Sequence, residues 1–395
     1  MRRGAAWAVP ILLLVTGCSF GRTPAAPATV TVTTTATPAS PATGTASATA
    51  VATPTPQVAT LQSAFEDVKS GVVRLEVTGC DGAAVGSGFA ISDTLLVTAA
   101  HVVSGGQVVE VIQGTQATAG TVVGIDEETD VALVRTATPL SGAVLAFSGT
   151  EPRVGDAVAT IGYPEGDPIT LHTGTVNALG RKAVIEGIAR HDLLELDAAA
   201  THGDSGGPVI RADGGVVGVF DAVPDGEQGG RLAVSSGTAQ PLVEAWGEDP
   251  EPTTYQDCTA TIDLDGNPVA ADALPTDPVQ QALATLGVYF RAVNVGDFPT
   301  AVAQTVKDET AEEFADQVAS SQDSGFEVGS AQQVGDRVVV WLTFTSEQDP
   351  GQGPAGRPDE TCTSWSLDYT LVQHHGLWLV EASRAHDGEG STPCA

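Results

Sequence analysis

Three segments of this 395-residue chain carry residue types that could together perform nucleophilic catalysis. Ser205 lies in the string GDSGGP at 203–208, His101 closes the string TAAH at 98–101, and Asp130 opens the apolar run DVALV. A serine hydroxyl is a poor nucleophile until a neighbouring imidazole accepts its proton, and a carboxylate can fix the tautomer of that imidazole. We therefore predict that His101, Asp130 and Ser205 form a catalytic triad in which His101 is the general base.

The glycines around Ser205 predict a second part of such a site. Gly203 allows a tight turn that can aim the backbone amides of Gly203 and Ser205 at one point, as an oxyanion hole requires. The same string matches the nucleophile elbow of α/β-hydrolases, in which a helix follows the serine and the acid and the histidine come later in the chain. Here the acid and the histidine precede Ser205, and short β-branched runs flank it, so we reject the elbow.

Short β-branched runs separated by Gly and Asp turns fill residues 60–246 and predict an all-β architecture. Examples are the runs at 72–77, 94–97 and 108–111. The strings GSGF at 86–89 and IGYP at 161–164, together with TAAHVV and GDSGGP, resemble the trypsin-like serine peptidases, and among them the bacterial HtrA (Deg) branch. The resemblance implies a double β-barrel with the catalytic cleft between the barrels, and a protein or peptide substrate.

The same resemblance places a substrate pocket beside the predicted nucleophile. It implies that Ala199 forms the base of the pocket and that Phe220, Asp221, Ala222 and Val223 form the opposite wall. Since Ala199 carries no acid, we expect cleavage after small or medium aliphatic residues rather than after Lys or Arg.

Asp204, directly before the nucleophile, departs from the HtrA pattern, which usually has Asn there. In animal-type trypsins this aspartate pairs with a new N-terminus that zymogen cleavage creates. No activation site of that type lies near the start of the predicted domain, so Asp204 needs another partner, or its loop is ordered only under some condition. This keeps a second hypothesis open, a tethered sensor or binding protein with a latent peptidase site that acts through its C-terminal domain.

The N-terminus predicts export from the cytoplasm. Arg2 and Arg3 precede an apolar run at 5–15 that is too short to span a bilayer, and the string VTGC at 15–18 resembles a lipobox. We predict a lipoprotein signal peptide at 1–18, lipidation of Cys18 and an extracytoplasmic, membrane-anchored protein, or a secreted one if the lipobox is not used. Residues 19–59, rich in Thr, Ala and Pro, predict a disordered stalk.

The net charge restricts the classes of partner that the protein can bind, and the cysteine content agrees with an exported protein. A formal net charge of −32 argues against binding to nucleic acid. We expect no cofactor and no metal, since the acidic string at 263–266 lacks the remaining ligands of a calcium loop. Beyond Cys18, an even number of cysteines in an exported chain suggests two disulfides with three conceivable pairings. We favour the pairings that close inside one domain, Cys80–Cys258 and Cys362–Cys394.

A second domain follows the predicted peptidase. Residues 247–278 are rich in Pro and Asp and predict a linker. From 279 to 395, helical spacing gives way to strand patterns, and this order resembles the small α+β cone of the NTF2-like (SnoaL-like) domains. The resemblance implies that a substrate, a ligand or an activating partner binds at the C-terminal domain.

Overall fold

The computed structural model describes residues 60–79, 82–185, 187–222, 230–253, 260–262, 264, 268–270, 277–318, 320–388 and 390–394. The predicted signal peptide, Cys18 and the predicted stalk lie outside these residues, as do Cys80 and Cys258. None of the helices in the described ranges combines the length and the apolar character that a membrane crossing needs.

Six antiparallel strands close into a first barrel in the order β1-β2-β3-β6-β5-β4. They are β1 (Val72–Gly79), β2 (Gly82–Ala90), β3 (Leu95–Thr98), β4 (Gly106–Gln113), β5 (Gln116–Asp126) and β6 (Val131–Thr136). Alternate residues of β1, namely Val73, Leu75 and Val77, are buried in the barrel core, because successive side chains of a strand point to opposite faces.

A second barrel of six strands follows in the order β10-β11-β12-β9-β8-β7. They are β7 (Ala157–Gly162), β8 (Thr170–Ile185), β9 (Ile188–Leu196), β10 (Pro208–Ile210), β11 (Val216–Ala222) and β12 (Arg231–Ser235). An apolar layer that includes Phe89, Leu133, Ile161 and Val219 is buried between the two barrels. The predicted all-β double barrel is therefore confirmed, and this layer fixes the barrels against each other.

α-Helices accompany the barrels in the part of the chain that the structure describes. They are α1 (Leu61–Val68), the single turn α2 (Ala100–Val103) after β3, and α3 (Ser236–Glu248) after β12. The side chain of Ser235 accepts a hydrogen bond from the amide of Thr238 and so caps the start of α3. Trp246 near the end of α3 lies on the backbone of Gly124 in β5, where a Cβ atom would come within 2.2 Å of its ring. Helix α3, which follows the last strand of the second barrel, thus also packs against the first barrel.

The C-terminal segment contains helices followed by an antiparallel sheet. A two-stranded pair, β13 (Ala260–Ile262) and β14 (Pro268–Ala270), lies in the predicted linker. The further elements are α4 (Pro278–Val295), α5 (Phe298–Ala303), α6 (Ala311–Val318), β15 (Gln322–Val334), β16 (Arg337–Glu347), β17 (Cys362–His374), β18 (Leu377–Ala385) and β19 (Ser391–Pro393). The sheet order is β15-β16-β17-β18, and β19 pairs with β17. The predicted likeness to NTF2-like cones stays a prediction.

Aromatic packing and one disulfide hold this C-terminal sheet together. Phe290 of α4 lies with its ring centroid 5.0 Å from that of Phe344 and 5.8 Å from that of Tyr369. Cys362 and Cys394 form a disulfide with their Cα atoms 5.5 Å apart, as the favoured pairing predicts. The partner pairing of Cys80 with Cys258 lies outside the described residues and stays a prediction.

Candidate active site

His101 and Asp130 meet because β3 and β6 are neighbours in the first barrel. His101 lies in the helical turn α2, three residues beyond the end of β3, and Asp130 directly precedes β6. One carboxylate oxygen of Asp130 accepts a hydrogen bond from the backbone amide of His101 at 2.8 Å, and the other lies 2.8 Å from its Nδ1. Asp130 is fully buried and has a φ of 59°, a left-handed conformation that aspartate tolerates better than most residues. The two contacts fix both the position and the tautomer of the imidazole.

The charges of this pair set the basicity of His101. Burial opposes protonation of the imidazole, but the hydrogen bond and the charge of Asp130 outweigh it and raise the pKa of His101 above its ordinary value. Burial also opposes ionisation of Asp130, yet the contacts with His101 lower the pKa of this carboxyl below its usual range. Asp130 therefore stays ionised and stabilises an imidazolium, as a general base at this position requires.

Ser205 lies in the loop before β10 and is mostly buried, at 9% exposure. Its hydroxyl donates to the backbone carbonyl of Asp221 at 3.0 Å, and its own carbonyl accepts from the amide of Ser87 at 2.8 Å. A carboxylate oxygen of Asp221 lies within 4.8 Å of a ring nitrogen of His101 and of a carboxylate oxygen of Asp130. Asp221 therefore joins the serine of the second barrel to the His–Asp pair of the first.

The amides of Gly203 and Ser205, which the sequence predicts to form an oxyanion hole, lie in a tightly packed loop. In the described part of the chain, neither of these two amides donates a hydrogen bond, so both remain available to a ligand oxygen. Gly203 has a φ of 89°, and a Cβ atom there would come within 2.3 Å of the carbonyl oxygen of Tyr163. The Ser87 hydroxyl donates to the carbonyl of Gly203 at 2.7 Å and orients this peptide group. Glycine is thus required both by the dihedral angle and by the close approach.

Arg190 is a functional candidate that the sequence interpretation missed. It projects from β9, is 2% exposed, and its Nη1 lies 3.2 Å from Oδ2 of Asp130 while it also donates to the carboxylate of Asp221. Burial raises the pKa of Asp221 to about 7, and the nearby charge of Asp130 adds to this effect while Arg190 opposes it. Arg190 thus supplies the positive charge that lets two buried carboxylates lie beside one histidine. In the sequence, Arg190 stands out only as an arginine in a predicted strand segment that ends in the largely apolar run at 193–196.

Asp204 has a partner within the second barrel. One oxygen of its buried carboxylate accepts from the amide of Thr201 at 2.8 Å and lies 3.3 Å from Nε2 of His172 on β8. Burial raises the pKa of Asp204, while the Thr201 amide and His172 oppose the rise. His172, a residue that the sequence did not single out, thus lies beside Asp204 without making a hydrogen bond to it. The expectation that this aspartate needs a partner other than a new N-terminus stays a prediction.

The predicted pocket residues differ in their surroundings. Ala199 is exposed beside the nucleophile loop, whereas Phe220 is 1% exposed and packs in the core of the second barrel. The side chain of Asp221 is fully buried against Arg190 and does not line an open pocket, which corrects the role predicted for it. The reason is that the alternation along β11 turns this side chain towards the catalytic pair. Val223 and the side chain of Ala222 lie outside the described residues.

Comparisons with known proteins agree with this geometry. The family model described as trypsin-like peptidase domain matches residues 86–219. The magnetosome formation protease MamE of Paramagnetospirillum magneticum is 37% identical over 166 residues, which are 40% of this chain and 23% of that protein. A probable periplasmic serine endoprotease, DegP-like, of Brucella suis is 34% identical over 245 residues, which are 57% of this chain and 46% of that protein. The chain thus spans less than half the length of either relative.

A solved structure is also similar. The active form of the Rv3671c protease from M. tuberculosis is 26% identical, with a TM-score of 0.45, and the match covers 52% of this chain and 91% of that one. The sequence matches support a serine endopeptidase. The family model spans the segments that carry His101, Asp130 and Ser205. Residues 86–219 therefore match the trypsin-like peptidase domain, and the chain is similar to DegP-like serine proteases.

Proposed function

We propose that the protein is an extracytoplasmic serine endopeptidase that hydrolyses peptide bonds through His101, Asp130 and Ser205. The observation that carries the proposal is the two-point contact of Asp130 with the amide and the Nδ1 of His101. Because Nδ1 of His101 faces Asp130, the other ring nitrogen, Nε2, is the one that accepts the proton of Ser205. The available amides of Gly203 and Ser205 add the electrostatic part of the same chemistry.

The catalytic sequence follows from these positions. When a peptide binds, the hydroxyl of Ser205 leaves the carbonyl of Asp221, passes its proton to Nε2 of His101 and attacks the scissile carbonyl carbon. The carbonyl oxygen becomes negative and accepts hydrogen bonds from the amides of Gly203 and Ser205. His101 then gives the proton to the leaving amine, and a water molecule releases the acyl group by the same steps in reverse order.

The substrate class and the location are part of the proposal. Exposed Ala199 offers no charge to a basic side chain, which supports cleavage after small or medium aliphatic residues. The predicted signal peptide and Cys18 support an export route with a lipid anchor, and the name of the Brucella relative, a probable periplasmic endoprotease, supports an extracytoplasmic site of action. Residues 279–395 form, in this proposal, an NTF2-like α+β domain behind a linker at 247–278.

The test is covalent labelling of the full-length protein with a fluorophosphonate probe, beside its Ser205→Ala variant, between pH 5 and 8. Labelling of the parent alone supports an activated serine and a formed oxyanion hole. The variant Ser148→Ala, which changes a serine of the second barrel's entry loop, is the matched control and should label like the parent. Absence of labelling at every pH would contradict the proposal and would favour the tethered sensor with a latent site.

A further inference from the structure

A buried charged cluster joins the C-terminal segment to the first barrel. Arg74 on β1 is 1% exposed, and its Nη1 donates to Oδ2 of Asp297 at 2.6 Å. The same guanidinium donates through Nε to Glu76 at 2.7 Å, and Glu76 accepts from Arg291 of α4 at 2.6 Å. Asp297 also caps α5, where it accepts from the amide of Thr300. Two elements of the C-terminal segment thus hold one buried pair of the peptidase barrel.

The guanidinium of Arg74 continues the contact towards the second barrel. Besides Asp297 and Glu76, it donates to the backbone carbonyl of Gly166, in the tight turn Pro164–Gly166 that follows β7. This turn is conformationally demanding, because Glu165 has a φ of 54° and Gly166 has a φ of 82°. A non-glycine residue with a positive φ persists only where its surroundings hold it. Arg74 is one of the groups that hold this turn.

The turn supports the loop that carries the predicted oxyanion hole. The amide of Glu165 donates to the carbonyl of His202 at 2.7 Å, one residue before Gly203. The backbone of Gly203 packs so closely on Tyr163 and Glu165 that no side chain would fit between them. The amide of Tyr163 donates to the Ser87 hydroxyl, which donates onward to the carbonyl of Gly203. Any shift of the turn therefore moves the amides that face the substrate.

We infer that Asp297 of the C-terminal segment is a positioning residue for the oxyanion hole, which it acts on through Arg74 and the turn Pro164–Gly166. The inference rests on the proposed peptidase function and deepens it. Without the charge of Asp297, the guanidinium of Arg74 keeps an ion pair with Glu76. It then turns towards Glu76, because an unpaired buried charge is costly. The carbonyl of Gly166 then loses its donor, and the loop at 201–205 loses its support.

The test compares matched variants of the full-length protein by saturation kinetics of fluorophosphonate labelling. Asp297→Asn keeps the helix cap but removes the charge, and the control Asp277→Asn makes the same change at the cap of α4. We expect the maximal labelling rate of Asp297→Asn to fall about tenfold, a part of the loss caused by deleting an oxyanion donor. The half-saturating probe concentration should stay constant, since probe binding does not use the oxyanion. Asp277→Asn should match the parent.

A second pair of variants perturbs the same link from the peptidase side. A Cβ atom at Gly166 would come within 2.8 Å of Nη2 of Arg74, whereas one at Gly155, also at positive φ, would meet nothing within 4 Å. Gly166→Ala should therefore lower the maximal labelling rate as Asp297→Asn does, and Gly155→Ala should not. This pair decides the matter if Asp297→Asn fails to fold, which circular dichroism would reveal.

The failures can be told apart. A parent that is never labelled would overturn the proposed function, and this inference with it. If the parent is labelled and a folded Asp297→Asn or Gly166→Ala variant has the same maximal labelling rate as the parent, the inference alone is overturned.

Discussion

Replacing Asp221 by asparagine removes one of the two carboxylates beside His101 and keeps the shape of the side chain. The backbone carbonyl that accepts from Ser205 is untouched by this change. The charge of Asp221 raises the pKa of His101, and Arg190, which lowers it, is partly occupied by Asp221. In the variant the charge that raises the pKa of His101 is gone, and Arg190 can pair more closely with Asp130. Both effects have the same sign, so the pKa of His101 should fall.

The structure sets the size of this change. The two charged groups lie within 4.8 Å of each other. At that upper limit, unit charges interact by about 3.5 kcal/mol at an effective dielectric constant of about 20, which corresponds to about 2.5 pKa units. Because burial raises the pKa of Asp221 itself to about 7, this carboxyl carries its charge in only part of the molecules near neutral pH. Arg190 also offsets part of it. We therefore expect a fall of about 1 unit in the pKa of His101.

The assay is the pH dependence of the fluorophosphonate labelling rate. His101 must be neutral to accept the proton of Ser205, so the rate rises with pH through the pKa of His101. For Asp221→Asn the acidic limb should move to lower pH by about 1 unit. The control Asp213→Asn changes a surface carboxylate of which 63% is exposed, and its profile should coincide with that of the parent. An unmoved limb, or one that moves to higher pH, would refute the assignment of Asp221 and Arg190 to the charge balance of the site.

Three further changes test other parts of the argument. Asp130→Asn removes the carboxylate that orients the imidazole, and the labelling rate should fall about 10,000-fold; a loss below tenfold would contradict the triad. His172→Ala takes the histidine from Asp204, and urea titration at pH 7 should show about 1–3 kcal/mol less free energy of unfolding, whereas a change at exposed His202 should have almost no effect. Reducing the Cys362–Cys394 disulfide, whose partners are 32 residues apart, should lower the free energy of unfolding by about 3–4 kcal/mol in urea titrations, and an unchanged transition would refute this.

Much of the fold and part of the site could be predicted from local sequence patterns. Apart from Thr94, the runs at 72–77, 94–97 and 108–111 lie in strands, because runs rich in β-branched residues between turn residues can be recognised in a short window. The helical spacing after 279 likewise corresponds to α4, which is capped at its C-terminal end by Gly296 in the left-handed conformation that favours glycine. Strand β15, by contrast, was not foreseen, because its residues are mostly exposed and show little apolar alternation.

The sequence by itself determined which groups could do the chemistry. The types and chain order of His101, Asp130 and Ser205, and the glycine at 203, follow from what acyl transfer demands of individual residues. These demands are local, so they can be recognised in short strings without knowing what lies nearby.

Only the tertiary structure decided what surrounds those groups. Arg190 reaches Asp221 within the second barrel and Asp130 in the first. His172 reaches Asp204 from β8, and Asp297 reaches Arg74 from the C-terminal segment. Strand alternation shows which face a side chain occupies, but it does not show which distant charge lies opposite. Barrel closure and the packing of the two barrels against each other bring these residues together, because each buried charge must find a partner once water is excluded.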